Sequence, residues 1–151
     1  GVPAQIIAAE YKLQTGAAGA DNVALGSLPV GVDTDTGTLG TALEVSDSTG
    51  VAHPDRIERC PVSGERFAGV HVPCWEQAVE VALKAAECFP WVRAVGWDIA
   101  VTPDGPFIVE GNWAWGHTGA QVGPARGLYH GAFKKVCDRL RAEGRAEKEL
   151  V

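Results

Sequence analysis

The 151-residue sequence contains no methionine, not even at position 1, so we expect a processed or trimmed chain or part of a longer protein. It has no apolar run approaching the roughly 18 residues that a membrane-spanning helix needs. Its opening, GVPAQIIAAE, lacks the basic start and long apolar run of a secretory signal. The sequence therefore predicts neither a membrane segment nor secretion.

Basic residues are scarce relative to acidic ones. Lys and Arg number 13 against 19 Asp and Glu, which gives a net charge of -6. Because nucleic-acid-binding domains usually carry an excess of basic charge, a nucleic-acid partner is not expected. The apolar fraction of 46% is that of a globular protein. The length predicts a single domain over residues 1–151, with a frayed, charged tail at 141–151.

Paired cysteine motifs are also missing. The four cysteines, at 60, 74, 88 and 137, form no C-x-x-C pair, which argues against a zinc ribbon or a thioredoxin-type motif. We interpret them as small buried thiols in a reducing compartment. The sequence leaves a disulfide open as the alternative.

The order of the apolar patterns predicts an α+β fold with a mostly antiparallel sheet and two main helices. Segments with strand-like patterns come first. A turn is predicted at Asp33–Gly37 and a returning strand at Leu39–Val45. Residues 46–73 show little periodicity, so a long irregular connection is expected there. A helical pattern runs from Cys74 to Phe89, and a last helix is expected from about Leu128.

A β-hairpin between the two helices carries the most informative pattern, from Val95 to Asn112. If Pro103-Asp104-Gly105 forms a three-residue loop, Asp98 lies opposite Glu110, and Asn112 shares their face. Opposed carboxylates repel each other unless a cation lies between them. Three oxygen-bearing side chains suit Mg²⁺. A solvated polar face of the sheet is the alternative that the pattern leaves open.

The amino-acid sequence of this hairpin resembles that of a known protein family. Gly96–Pro106 followed by Ile108–Asn112 resembles the metal-binding hairpin of the ATP-grasp superfamily, in particular its sugar-transfer-associated group. His53-Pro54-Asp55, the helix start at Val72–Glu76 and the pair Asp21-Asn22 resemble the same group. The resemblance covers roughly Ala4 to Asn112 and implies a fold like the C-terminal subdomain of ATP-grasp enzymes.

The resemblance also implies cofactors and site residues. ATP-grasp enzymes hold ATP between two α+β subdomains, and most join a carboxylate to an amine or thiol through an acyl phosphate. Asp98, Glu110 and Asn112 match the positions that hold Mg²⁺ at the nucleotide phosphates. Lys12 stands where the group commonly carries an arginine near the phosphates, and Asn22 matches an asparagine near the active site; both are therefore candidate catalytic residues. Use of ATP predicts a cytoplasmic location.

Three hypotheses follow for the function. The chain is the C-terminal part of an ATP- and Mg²⁺-dependent ligase that binds a nucleotide and an unknown small molecule. In this case it is expected to be inactive without an upstream half, because its five lysines are not followed by the Gly-rich loop that the resemblance leads us to expect. Alternatively, it is a stand-alone binding or assembly module, for example a homodimer, or an unrelated structural α+β domain.

Overall fold

The computed structural model describes residues 3–15, 27–45, 52–122 and 127–143, which divide into two compact units. The first unit comprises the residues up to Ile7, Pro73–Gly116 and the residues from Leu128 onward. The second comprises Ala8–Val72 and His117–Gly127. Each unit combines antiparallel strands with helix, so the predicted α+β class is confirmed.

A four-stranded antiparallel sheet with the order β1-β2-β3-β4 forms the second unit. Its strands are β1 (Glu10–Gln14), β2 (Ser27–Val32), β3 (Leu39–Val45) and β4 (Ala52–Ile57). β2 has neighbours on both sides and is buried along its whole length. The sequence of β2 is almost continuously apolar, because both faces of the strand are shielded from water.

The turn between β2 and β3 forms where the sequence predicts it. The Asp33 carboxylate accepts hydrogen bonds from the Thr36 hydroxyl, at 2.9 Å, and from the backbone N–H groups of Thr36 and Asp35, at 2.8 and 3.1 Å. These bonds, the Thr36 hydroxyl first, favour the ionised form and lower the pKa of Asp33. A side chain that satisfies its own turn in this way explains why Asp is frequent at such positions.

The core of the second unit lies against β2. Leu28, Val30, Ala42 and Phe67 form a buried cluster, with Leu13, Leu39, Ile57 and Cys60 packed against it. Phe67 comes from the stretch expected to be irregular, and β4 lies in that stretch too. The sequence missed β4 because the strand reads AHPDRI, with a proline and no alternation of apolar and polar residues.

In the first unit, one long helix packs against a two-stranded hairpin. Helix α1 (Trp75–Cys88) contacts both β5 (Gly96–Thr102) and β6 (Gly105–Asn112), and it buries Ala78 and Ala82. Its apolar residues recur every three or four positions, as predicted, and Pro90 follows its C-terminal end. The small alanines allow close packing of helix and strands.

Two further helices complete the described chain: α2 (Thr118–Val122) and α3 (Gly131–Ala142). Five residues are too few for a helical period to be recognised in the sequence, so α2 was missed. Leu140 and Cys137 of α3 are buried. Tyr129 precedes the helix and is 48% exposed, and its hydroxyl donates to Asp138.

The cysteines agree only in part with the interpretation as buried thiols. All four lie in the described chain and are free, but only Cys137 is buried. Cys60 is half-buried, whereas Cys74 and Cys88 are exposed at the two ends of α1. The amphipathic pattern of a helix does not predict the burial of residues at its two ends. Within the described residues, no helix is long and apolar enough to cross a membrane.

Candidate functional site

The turn of the β5–β6 hairpin is one residue shorter than predicted. Thr102 pairs with Gly105, so the loop consists of Pro103 and Asp104 alone. The Thr102 hydroxyl donates to the Gly105 carbonyl at 2.8 Å and closes the turn. Gly105 has φ of +111°, a conformation that glycine adopts without strain. Pro and Gly stand at the second and fourth turn positions, where both are favoured.

A β-bulge then restores the predicted pairing of the two carboxylates. Ile99 pairs with Ile108, yet Asp98 pairs with Glu110, so Val109 is an extra residue on β6. The shorter turn moves the register by one residue, and the bulge moves it back. Asp98 and Glu110 therefore lie opposite each other, as the sequence predicted for a different turn.

The register shift changes which apolar residues share a face with the carboxylates. Phe107 pairs with Ala100, which lies two residues from Asp98, so Phe107 is on the carboxylate face. Phe107 is 53% exposed and Val109 is 63% exposed. Strict alternation from Glu110 would place Phe107 and Val109 on the opposite, apolar face, but the register of Phe107 and the exposure of both side chains show that neither belongs to the core. The carboxylate pair lies beside an exposed aromatic side chain.

Asn112 lies next to Glu110 on the same strand. Its Nδ2 donates to Glu110 Oε1 at 2.5 Å, and its backbone pairs with Gly96. Asp98 and Asn112 are half-buried, whereas Glu110 is exposed. One carboxylate and one amide are thus in direct contact, and the second carboxylate occupies the facing position on β5.

Two tryptophans fix the backbone of this hairpin from the side. The Trp97 ring lies over Gly111, where an added Cβ would be 2.3 Å from Cζ3, and it contacts Phe89 with ring centroids 6.2 Å apart. Trp115 covers Gly96, where an added Cβ would be 2.6 Å from the Trp115 Cβ. The two glycines are therefore required by close approach, and they hold the strand ends that carry Asp98 and Asn112.

Replacing Gly111 with alanine is expected to destabilise the protein by about 1 to 2 kcal/mol, because the new methyl group displaces the Trp97 ring. Urea denaturation followed by tryptophan fluorescence measures the change. Gly116→Ala is the control, since an added Cβ there meets nothing within 4 Å. Equal stability of the two variants would contradict the close contact between Gly111 and Trp97.

The side chains on this hairpin have the oxygen donors that Mg²⁺ takes in proteins. Among the described residues there is no cluster of three or more His, Cys, Asp or Glu side chains. Mg²⁺ does not require such a cluster, because it commonly takes one or two carboxylates and completes its coordination with waters and phosphates. For such an ion, Asp98 and Glu110 would supply the carboxylates and Asn112 a neutral amide oxygen.

The remaining candidate residues lie elsewhere. Lys12 is half-buried on β1, where it pairs with Pro29 in the second unit. Asn22 lies outside the described residues. The structure therefore brings together Asp98, Glu110 and Asn112, and it gives Lys12 a place on a different sheet.

The sequence did not indicate the close packing of Gly119 against Glu10. Gly119 is buried in α2, and a Cβ added there would be 1.9 Å from Glu10 Oε2. Glu10 belongs to β1, two residues from Lys12 and on the same face of the strand. In the sequence, only a glycine marks this contact. Glycines are too common for one of them to predict such close packing.

The comparison with protein families decides the assignment. The family model described as sugar-transfer associated ATP-grasp matches residues 4–138. The chain belongs to this family. The resemblance of the hairpin is thus confirmed, and the match continues past Asn112 into α3. Neither the curated proteins nor the solved structures that were searched gave a match. The ATP-grasp sequence extends across both units of the described chain.

Proposed function

We propose that this ATP-grasp domain takes part in an ATP- and Mg²⁺-dependent ligase reaction that joins a carboxylate to an amine or thiol. Membership of the ATP-grasp family supports the use of a nucleotide. The observation that carries the proposal is the pairing of Asp98 with Glu110 and the contact of Glu110 with Asn112. The hairpin provides the metal and phosphate side of the nucleotide site.

The three side chains hold the metal in this proposal. Asp98 and Glu110 would hold Mg²⁺ through carboxylate oxygens, and Asn112 would contribute its amide oxygen. The ion would supply charge neutralisation and orientation at the phosphates, which is most of what phosphoryl transfer requires. Rigid strands suit this role, because small displacements of positioning groups slow such reactions strongly.

Further residues complete the nucleotide site. By the family resemblance, Lys12 would supply a positive charge for the phosphates and Asn22 would have a role in catalysis. The other phosphate-binding groups come from a further ATP-grasp segment, either an upstream half or a second copy of the chain. Closure of such a clamp excludes water from the acyl phosphate, so binding by this chain alone is expected to be weak. The reaction belongs in the cytoplasm, where ATP is supplied.

Calorimetry with ATP tests the proposal, with one titration in Mg²⁺ and one in excess EDTA. Saturable heat with Mg²⁺ and its loss with EDTA are expected. Equal heat in both titrations would overturn the role of the metal, and no heat in either, even with the missing half supplied, would overturn nucleotide binding. If the chain self-associates in sedimentation experiments and shows no heat of nucleotide binding, the result would instead favour an assembly module.

A further inference from the structure

A second charged pair lies on the connection that follows β4. Arg59 and Arg66 form an isolated antiparallel bridge that closes a small hairpin. The flanking backbone bonds run from the Cys60 N–H to the Glu65 carbonyl, at 2.8 Å, and from the Phe67 N–H to the Glu58 carbonyl, at 3.0 Å. The two arginines therefore occupy a non-hydrogen-bonded pair, the position at which opposed side chains approach most closely.

Local bonds hold this hairpin in a defined shape. The Gly64 N–H donates to the Cys60 carbonyl at 2.8 Å, and the Ser63 N–H donates to Cys60 Sγ at 3.4 Å. Gly64 has φ of +75°, which a glycine adopts without strain. The bridge is thus fixed by backbone geometry, and the closeness of the two arginine Cβ atoms does not depend on side-chain rotamers.

Both arginines point away from the core. Cys60 and Phe67, their neighbours in the chain, pack with the apolar cluster of the second unit. Since successive side chains of extended backbone alternate in direction, Arg59 and Arg66 project to the opposite side. Both are exposed. Two arginine side chains therefore leave the same solvent-facing side of a hairpin in an acidic protein.

Neighbouring acidic groups compensate this charge only weakly. Arg66 Nη1 lies 3.4 Å from Glu58 Oε2, and both side chains are more than half exposed, so the ion pair contributes little. Arg59 Nη1 donates to the Gly64 carbonyl at 2.9 Å and has no carboxylate partner within the described part of the chain. Opposed like charges destabilise a strand pair unless an ion of opposite charge lies between them.

We propose that Arg59 and Arg66 form a binding site for an oxyanion, specifically the phosphoryl group of a small molecule. Two guanidinium groups offer planar, paired donors that match phosphate oxygens and bind them through bidentate hydrogen bonds. The ligand is either free inorganic phosphate or a phosphomonoester on a substrate. The proposal does not depend on the proposed Mg²⁺ site, because it is argued from other residues.

Titration of the full chain with inorganic phosphate at low ionic strength tests the site. Calorimetry and NMR of the Arg59 and Arg66 Nε–H signals monitor the binding. One saturable site is expected. Arg59→Ala and Arg66→Ala should each weaken binding by about tenfold, the loss of one charged hydrogen-bonding partner. Arg66→Lys should recover part of the affinity, because it restores the charge without the paired donors.

Arg139→Ala is the matched control. It removes the same charge from an exposed arginine on α3, where the side chain lies 4.0 Å from Glu143. If Arg139→Ala weakens phosphate binding as much as Arg59→Ala, the effect is one of net charge and the proposal is wrong. The proposal also fails if phosphate binds Arg59→Ala and the unmodified chain equally. Asp104→Asn, which changes an exposed charge outside both proposed sites, should leave phosphate binding unchanged.

Thermal denaturation provides a second readout that does not depend on the folding yield of one variant. The Tm of the unmodified chain should rise with phosphate concentration, because a ligand that binds only the folded state stabilises it. The Tm of Arg59→Lys should rise less, and that of Arg139→Ala as much as the unmodified chain. A phosphomonoester such as glycerol phosphate that binds more tightly than phosphate identifies a substrate group, and a weaker one identifies the free ion. An equal Tm rise in Arg59→Lys and the unmodified chain, at every phosphate concentration, would contradict the site.

Discussion

An Asp98→Asn/Glu110→Gln double variant is expected to bind Mg²⁺–ATP about a hundredfold more weakly than the unmodified chain, since each lost charged ligand contributes roughly a factor of ten. Both substitutions keep the shape of the side chain and remove its charge. Glu110→Gln also keeps an oxygen that can accept the bond from Asn112. Calorimetry measures the change in affinity. The further ATP-grasp segment that completes the nucleotide site is present in the titration.

The matched control for this variant is Asp104→Asn/Glu87→Gln. It removes the same two charges from exposed positions, one at the turn of the same hairpin and one near the end of α1. Binding of Mg²⁺–ATP to this control should equal that of the unmodified chain. If both double variants lose affinity to the same extent, the acidic hairpin has no specific role and the proposed metal site is wrong.

Val30→Ala is expected to lower the free energy of unfolding by about 2 to 3 kcal/mol, because two buried methyl groups lose their contacts and leave a cavity. Val30 is 0% exposed in the central strand β2. Val62→Ala makes the same chemical change at a side chain that is 70% exposed in the same unit, and it should alter stability by less than about 0.5 kcal/mol. Urea denaturation of both variants gives the comparison, and similar losses would show that β2 is not the centre of this core.

The sequence predicted best those elements whose local chemistry is self-sufficient. The turn at Asp33 forms from a carboxylate that accepts bonds within three residues, and β3 has the bounds that were predicted. Helix α1 follows from its apolar spacing and from Pro90. β4 forms by pairing with β3, the strand that precedes it in the chain, whereas its own composition argues against a strand.

The hairpin shows how a correct pairing can arise from a register that differs from the predicted one. Phe107, Ile108 and Val109 are consecutive apolar residues, so alternation cannot reveal which of them is extra. Both the shorter turn and the bulge at Val109 were invisible in the sequence, and their effects cancel at Asp98 and Glu110. The facing carboxylates were therefore predictable, whereas the exposure of Phe107 beside them was not.

The candidate sites differ in how much of them the sequence reveals. Asp98, Glu110 and Asn112 lie in one hairpin, so their convergence follows from local spacing and a family resemblance. Their role as metal ligands stays a prediction, as do the roles of Lys12 and Asn22. The arginine pair lies in a stretch without periodicity, and only the bridge between Arg59 and Arg66 shows that the two side chains oppose each other.

Paramagnetic Mn²⁺ in place of Mg²⁺, added with ATP and followed by NMR, tests most directly whether the β5–β6 hairpin holds a metal at the nucleotide. The backbone amide signals of Asp98, Glu110 and Asn112 and the side-chain amide signal of Asn112 should broaden first. The amide signal of Asp104, at the far end of the hairpin, should broaden last. Broadening that begins at other acidic residues, or that leaves the signals of Asp98 and Asn112 sharp, would contradict the account.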